Sequence, residues 1–306
     1  MRALDKQFLW SIFFLMLTLS SCSFAQNTAK FDFSEANDIN YLEEMSVDTI
    51  QKLNLIFPKG VEQFPLLIWI GGGAWSYVDR NVEMDLARKF AEEGIAVASI
   101  GHRLSPAIWR DSTLNKGIKH PAHAKDVAAA MKWLYDNADS YGYDKQSIFI
   151  GGFSSGAHLA ALIGLDHQYL EEVGLPKDII KGMIPISGTY DIMNYHDVFK
   201  NGNNPELAVS HVEAVFGDTT EDFINASPTT YLNNLGIPML LISDNAIDRY
   251  TRFFEEKLKQ TDFVAFETIY VPDLNHAELW RNLSFDASSE YRKAIVQFIK
   301  RGEKLK

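Results

Sequence analysis

A glycine-flanked serine is the feature of the sequence with the clearest chemistry. The pattern Gly-x-Ser-x-Gly occupies residues 152–156, with Ser154 at its centre. It lies between an apolar run at 147–150, which predicts a strand, and a helical pattern over about 155–168. A nucleophile on a sharp strand-to-helix turn takes strained backbone angles, and only very small residues fit two positions before and after it. The pattern therefore predicts Ser154 as a nucleophile whose hydroxyl is exposed at such a turn.

A histidine late in the chain can activate this serine. A serine hydroxyl is a weak nucleophile, so it needs a general base that an acid in turn orients. With a turn of this kind the chain order is serine, then acid, then histidine. His276 is the only histidine after residue 211, and it follows a predicted strand at 264–271. We therefore predict His276 as the general base.

Two aspartates follow the predicted strand at 238–242 and compete for the role of the acid. They are Asp244 and Asp248. Asp248 stands just before a predicted helix at 249–260, where the alternative use of an aspartate is to cap that helix. We predict Asp248 as the acid that orients His276, with Asp244 as the second choice.

Three consecutive glycines, Gly71 to Gly73, follow an apolar run at 65–70. Glycines leave backbone amides unobstructed, which suits an oxyanion hole built from a loop after an early strand. A phosphate-binding loop is the rival, but the Lys-Ser/Thr of a P-loop is missing. We predict that the amides of Gly72, Gly73 and Ser155 stabilise an oxyanion, the last from the first turn of the helix after the serine.

The elements that must position these residues alternate along the chain. Strands are predicted at 51–57, 65–70, 95–100, 147–150, 182–186, 238–242 and 264–271, and helices at 81–93, 122–138, 155–168, 249–260 and 288–301. This alternation predicts an α/β domain over 46–306, with a mostly parallel sheet between helices on both faces. Residues 188–235 are less regular and predict a small cap or loop insertion. Residues 26–45 are polar and predict an N-terminal linker or arm.

The composition of the chain limits the classes of ligand and binding partner that it can have. The chain has 306 residues and a net charge of −11, which argues against a general nucleic-acid binder. The single cysteine, Cys22, excludes an intramolecular disulfide and thiolate-rich metal sites. His120 and His123 flank a proline without acidic or thiolate partners at ligand spacing, so we expect neither a metal nor an organic cofactor. Of the other histidines, His158 is predicted to lie in the core or behind the site, and His196 and His211 are predicted to be exposed.

The first 25 residues have the pattern of a signal peptide. Two basic residues precede an apolar run at 8–19, and small residues follow. The run is too short for a confident transmembrane helix. Leu19-Ser20-Ser21-Cys22 resembles a bacterial lipobox, while Ser23-Phe24-Ala25 resembles an ordinary cleavage site. Both predict export, as a periplasmic, outer-membrane lipoprotein or secreted protein, with membrane attachment only through a lipidated Cys22.

Several motifs in order resemble a known family. They are Gly71-Gly72-Gly73-Ala74-Trp75, His102-Arg103-Leu104-Ser105-Pro106, His120-Pro121-Ala122-His123-Ala124-Lys125-Asp126-Val127, Trp133-Leu134 and Gly152-Phe153-Ser154-Ser155-Gly156-Ala157-His158-Leu159. Together they resemble bacterial esterases of the α/β-hydrolase superfamily. The branch with hormone-sensitive-lipase-like carboxylesterases, acetyl and feruloyl esterases and kynurenine formamidases is the most similar. The likeness spans about 65–280 and implies the α/β-hydrolase fold.

The resemblance implies the same roles for the residues predicted above. Ser154 matches the nucleophile, His276 the base and the Asp248 region the acid, while Gly72, Gly73 and Ser155 match the oxyanion donors. The sequence departs from the family at Gly71, where a histidine is usual. That imidazole supports the loop rather than reacting, so we expect activity to survive its loss. Ser-Ser-Gly-Ala at 154–157 replaces the usual Ser-Ala-Gly-Gly and keeps the backbone amides.

The function predicted from these residues is hydrolysis of short-acyl carboxylic esters. A small-molecule or glycan ester is the expected substrate, and plant-type polysaccharides are one source. Trp69, Trp75 and Tyr77 near the glycine loop can line a sugar or aryl pocket or belong to the core. Two alternatives stay open: an amidase, formamidase or peptidase that uses the same triad, and a catalytically silent binding homologue.

Overall fold

The computed structural model describes residues 30–42 and 50–303. The predicted signal segment, including Cys22, lies outside these residues. Within them, no helix is both long and apolar enough to cross a membrane.

Eight strands form one sheet. In chain order they are β1 (Phe33–Asn40), β2 (Lys52–Pro58), β3 (Phe64–Ile70), β4 (Ala96–Ile100), β5 (Tyr143–Phe153), β6 (Ile180–Ile186), β7 (Met239–Ser243) and β8 (Phe266–Tyr270). Their order across the sheet is β1-β2-β4-β3-β5-β6-β7-β8. β2 is antiparallel to both of its neighbours, and all other pairs are parallel. The predicted mostly parallel sheet is therefore confirmed.

Ten α-helices accompany the sheet in the described part of the chain. They are α1 (Met84–Ala91), α2 (Ala122–Tyr141), α3 (Ser155–Leu165), α4 (Gln168–Glu172), α5 (Ile192–Lys200), α6 (Ala214–Phe216), α7 (Thr220–Asn225), α8 (Asp248–Lys259), α9 (His276–Phe285) and α10 (Glu290–Glu303). Short 3-10 helices cover Arg80–Glu83 and Pro228–Asn234, and a π-helix covers Ala208–Glu213.

Strand β3 shows why its sequence is continuously apolar. All seven of its residues are buried. Leu66 and Ile68 pack into a core formed with α2, α3 and α8, whereas Leu67 and Trp69 pack into a second core formed with α1, α9 and α10. A strand that is covered on both faces has no solvent-facing positions, so its pattern does not alternate.

The structure differs from the predicted elements at three places. The segment 26–45, predicted as a linker or arm, contributes strand β1 in its described part, and β1 pairs antiparallel with β2 and extends the sheet. The irregular segment 188–235 contains short helices of α, 3-10 and π type. Helix α9 was not predicted, and it begins at His276.

The sheet brings the predicted functional residues to one edge. The glycine loop follows β3, Ser154 follows β5, and Asp244 follows β7. These strands are parallel, so their carboxyl ends lie on the same side, where ligands bind in open sheets of this kind.

Candidate active site

Ser154 occupies the strained turn that the glycine pattern predicts. Its backbone has φ 56° and ψ −117°, and its amide donates to the carbonyl of Ile186 at 2.8 Å. A Cβ added at Gly156 would lie 1.9 Å from the carbonyl oxygen of Ile70. A Cβ added at Gly152 would lie 2.6 Å from the same oxygen. The turn therefore depends on both glycines, because β3 passes directly against it.

The imidazole of His276 is bound to a carboxylate, and that carboxylate belongs to Asp244. The Nδ1 atom of His276 lies 2.7 Å from Oδ2 of Asp244. Asp244 is fully buried. Its Oδ1 atom accepts from the backbone amides of Ala246 at 2.8 Å and Ile247 at 3.1 Å. These bonds fix the carboxylate, which in turn fixes the imidazole.

The charge state of Asp244 suits an orienting role. Burial raises its pKa, but contacts with His276 and with the hydroxyl of Ser187 outweigh burial, and the pKa is lowered below its usual value. An ionised carboxylate only accepts hydrogen bonds, so Nδ1 of His276 carries the proton in this arrangement. In the neutral imidazole this tautomer leaves Nε2 unprotonated, which is the nitrogen a general base needs.

The prediction of Asp248 as the acid is wrong in this structure. Asp248 is the first residue of α8, and its Oδ2 atom accepts from Nε of Arg252 at 2.7 Å, one helical turn further on. Asp244 instead follows the last residue of β7 directly. Asp244, directly after the end of β7, therefore reaches His276, whereas Asp248, four residues later, already lies in α8.

Ser154 and His276 line a common cavity of about 160 Å³. Four aromatic side chains account for much of its wall: Trp75, Tyr195, Phe199 and Tyr250. The cavity is therefore a small aromatic chamber with the reactive groups at one side. A larger cavity of about 590 Å³ lies at the starts of β7 and β8 and contains none of these residues.

The glycine loop lies against the nucleophile. A Cβ added at Gly72 would be 3.2 Å from Cβ of Ser154. Gly73 has φ +152°, and a Cβ there would lie 2.6 Å from the backbone nitrogen of Val78. Ser155 lines the cavity from the first turn of α3. Gly72 and Ser155 thus lie beside Ser154, and Gly73 has no room for a side chain.

The three aromatic residues near the glycine loop have different surroundings. Trp75 is buried and donates from Nε1 to Nδ1 of His158 at 3.2 Å. Burial lowers the pKa of His158 to about 3, so this imidazole is neutral and can accept. Trp69 is buried in the core, whereas Tyr77 is 48% exposed. Only Trp75 lines the cavity.

Sequence reasoning missed Glu83, which is buried behind the glycine loop. Its Oε2 atom accepts from Nε1 of Trp69 at 2.8 Å, and its Oε1 atom accepts from Nε1 of Trp280 at 3.3 Å. A Cβ added at Gly71 would lie 3.0 Å from Oε1. The carboxyl thus fills the space beside the position where the family usually has a histidine. In the sequence, Glu83 resembles an ordinary acidic residue at the start of a helix.

The prediction that His196 and His211 are exposed is wrong. Both are buried, since His196 packs against Phe223 and His211 packs against Trp75 and Trp109. His196 pairs with Glu213 at 3.0 Å, and Nε2 of His211 lies 2.9 Å from the hydroxyl of Tyr195. Across the described ranges, no group of three or more His, Cys, Asp or Glu side chains is arranged to hold a metal ion.

A strained serine turn after β5, an Asp–His pair and this strand order define an α/β-hydrolase. The BD-FAE family model matches residues 53–251, more than half of the chain. The chain belongs to the BD-FAE family, and its relatives are esterases of the α/β-hydrolase superfamily.

Known proteins similar to this chain agree with that membership. Esterase LipC of Mycobacterium tuberculosis is 30% identical over 58% of this chain and 43% of its own length. The chain spans about half the length of the curated relatives it matches. Among solved structures, esterase B from Lactobacillus rhamnosis has a TM-score of 0.75 at 20% identity and covers 90% of this chain and 88% of its own. A truncated carbohydrate esterase from gut microbiota has a TM-score of 0.67 at 20% identity, covering 90% and 98%. The structural likenesses confirm the α/β-hydrolase fold.

Proposed function

We propose that this protein is a serine carboxylic ester hydrolase with Ser154, His276 and Asp244 as its triad. The observation that carries the proposal is the 2.7 Å pair between the buried Asp244 and the partly exposed His276, whose imidazole shares a cavity with the strained Ser154. Esterase relatives support the reaction class.

The proposed reaction follows from these positions. Nε2 of His276 takes the hydroxyl proton of Ser154 as the oxygen attacks the ester carbonyl, and Asp244 stabilises the imidazolium that forms. The amides of Gly72, Gly73 and Ser155 stabilise the oxyanion, and the loss of one such donor typically raises the activation barrier by about 3 kcal/mol. His276 then protonates the leaving alcohol, and water releases the acid from the acyl-enzyme by the reverse sequence.

Cavity size supports a short acyl group. The chamber beside Ser154 has a volume of about 160 Å³, well below the roughly 300–1,000 Å³ of sites for drug-sized ligands. Aromatic side chains form much of its wall, so an acyl chain too long for this volume would have to displace them or extend out of the cavity. Acetyl and similarly short esters are the substrates we propose.

Acyl esters on polysaccharides are the proposed biological source of such groups. Structural likeness to a carbohydrate esterase from gut microbiota supports this choice. Export, predicted from residues 1–25, would place the enzyme where polysaccharides occur. We propose that the mature protein begins at a diacylated Cys22 or at Gln26, and intact mass of the protein from cells distinguishes the two.

Hydrolysis of a p-nitrophenyl ester series, from acetate to octanoate, tests the proposed function. We expect turnover to be fastest for acetate and to fall with chain length. Ser154→Ala should lose at least about 1,000-fold in kcat, because the triad acts as a unit. Full turnover in Ser154→Ala would exclude the proposed mechanism, and cleavage of the matching anilides but not the esters would assign an amidase instead.

A further inference from the structure

Glu83 is a buried acid that contacts three parts of the site. It accepts hydrogen bonds from Trp69 on β3 and from Trp280 on α9. Its carboxyl also lies beside the start of the glycine loop, where a Cβ at Gly71 would be only 3.0–3.2 Å from three of its atoms. Glu83 itself ends the 3-10 helix Arg80–Glu83.

We propose that Glu83 is a positioning residue that holds the glycine loop and the His276 helix at a fixed separation. This inference rests on the proposed function, since it concerns the same oxyanion loop and the same general base. The hydrogen bond to Trp280 is the connection that matters most, because it crosses from the glycine-loop side of the site to α9.

The geometry of α9 explains how this contact reaches the imidazole. Helix α9 begins with His276, and Trp280 follows four residues later. Residues four apart lie on the same face of a helix, one turn along. A fixed indole at position 280 therefore restrains the first turn, which carries His276. Rate depends steeply on such restraint, because a displacement of about 1 Å can cost about 100-fold.

A plain core role accounts less well for this residue. Burial is the main cause that raises the pKa of Glu83 to about 7, and the nearby Asp79 carboxylate adds a smaller rise. The hydrogen bonds from the two indoles lower the pKa, but by less than burial raises it. An apolar side chain facing phenylalanines would fill the same space without burying a carboxyl and two indole N–H groups. Burying a carboxyl only to fill space in the core would be energetically unfavourable. The directional hydrogen bonds of Glu83 instead connect two elements of the site.

Four variants of the full chain test the inference, with kcat on p-nitrophenyl acetate measured well below each unfolding temperature. Glu83→Met keeps the length of the side chain and removes the acceptor, and we expect kcat to fall about 10- to 100-fold with KM nearly unchanged. Glu83→Gln should restore most of kcat, because one oxygen, Oε2, lies within 3.4 Å of both indole nitrogens.

Trp280→Phe and Trp69→Phe form a matched pair. Each removes one indole N–H from Glu83, but only Trp280 lies on the helix of His276. We expect Trp280→Phe to lower kcat more, although Trp69 makes the shorter bond and is more deeply buried. A purely structural role would reverse this order, and losses of kcat that simply follow the unfolding temperature would overturn the inference.

A signal independent of turnover separates this inference from the proposed function. The Nδ1 proton of His276, bound to Asp244, should give a downfield proton NMR resonance. We expect Glu83→Met and Trp280→Phe to shift or broaden it more than Trp69→Phe does. An identical resonance in all variants would overturn the positioning role even if Ser154→Ala supports the esterase mechanism. A shifted resonance without ester turnover would support the role and reject the function.

Discussion

At the scale of single residues, position along the chain decides which aspartate serves His276. Asp244 and Asp248 have identical side chains and lie four residues apart. Asp244 leaves the end of β7, where it is buried and accepts two backbone amides. Asp248 lies in the first turn of α8 and pairs with Arg252. The carboxylate at the strand end is therefore the one that can orient the imidazole.

Replacing each of these aspartates by asparagine tests the assignment. We expect Asp244→Asn to lower kcat by about 10,000-fold, the size of loss seen when an orienting aspartate becomes an amide and the imidazole takes the wrong tautomer. Asp248→Asn removes only a surface ion pair with Arg252, and such pairs contribute little, so its kcat should stay near that of the wild type. The measurement is kcat on p-nitrophenyl acetate for both variants. The reverse ranking would restore Asp248 as the acid.

Local sequence patterns identify some of the functional residues but not all of them. Ser154 and the glycine loop were predictable, because turn geometry restricts the neighbouring residues to glycine. The acid was not, because the sequence places the end of β7 only to within a residue or two. Glu83 could not be predicted at all, since its partners Trp69 and Trp280 are distant in sequence and its acidic type suits a helix start equally well.

At the scale of elements, close contact between β3 and the turn after β5 gives the glycines their importance. Gly156→Ala would place a Cβ 1.9 Å from the carbonyl of Ile70, so β3 and α3 must separate. We expect a loss in the free energy of unfolding at or above the roughly 1–3 kcal/mol typical of overpacking. Urea unfolding measures this loss, and ester hydrolysis should disappear with it.

Gly236→Ala is the control for this substitution. A Cβ at Gly236 meets nothing within 4 Å, and its backbone does not have a positive φ. Its free energy of unfolding should therefore stay within about 0.5 kcal/mol of the wild type or rise slightly. If both alanine variants unfold at the same urea concentration, the close approach between β3 and the turn does not exist in solution.

The elements that sequence reasoning missed share a weak local signal. Strand β1 reads Phe-Ser-Glu-Ala-Asn-Asp-Ile-Asn, which has little alternation, and none of its residues is buried. Helix α9 is short and begins with a capping box between Asn275 and Glu278, a signature visible in the sequence only when the helix is already suspected. Strands β3, β4 and β7 were predictable because burial on both faces makes them almost continuously apolar.

At the scale of the whole molecule, two hydrophobic cores cover the two faces of the sheet. The site lies at the carboxyl ends of β3, β5 and β7, between these cores. Trp69 belongs to the core on the α1 and α9 side, and Trp75 belongs to the other. Glu83 accepts a hydrogen bond from Trp69, so its carboxyl is a titratable group next to one of these cores, and it is buried. Its ionisation should appear in the global free energy of unfolding.

The sign of that effect follows from the direction of the pKa shift. The pKa of Glu83 is raised from 4.5 to about 7 in the folded protein. Between these values the folded state holds a proton that the unfolded state has released, so the free energy of unfolding falls as pH rises through this window. A difference of one in pKa corresponds to about 1.4 kcal/mol, so the ionisation of Glu83 should lower the free energy of unfolding by about 3 kcal/mol by pH 8.

Glu83→Gln isolates this contribution, because glutamine has nearly the same shape and does not ionise. We expect the free energy of unfolding of Glu83→Gln, relative to the wild type, to rise by about 3 kcal/mol between pH 4.5 and pH 8. Urea unfolding of both proteins at several pH values measures the difference, and other carboxylates cancel in it. Parallel pH curves for the two proteins would mean that the acid ionises with an ordinary pKa, in a site open to water. The same carboxyl would then lack the buried, fixed position that its proposed hold on α9 requires.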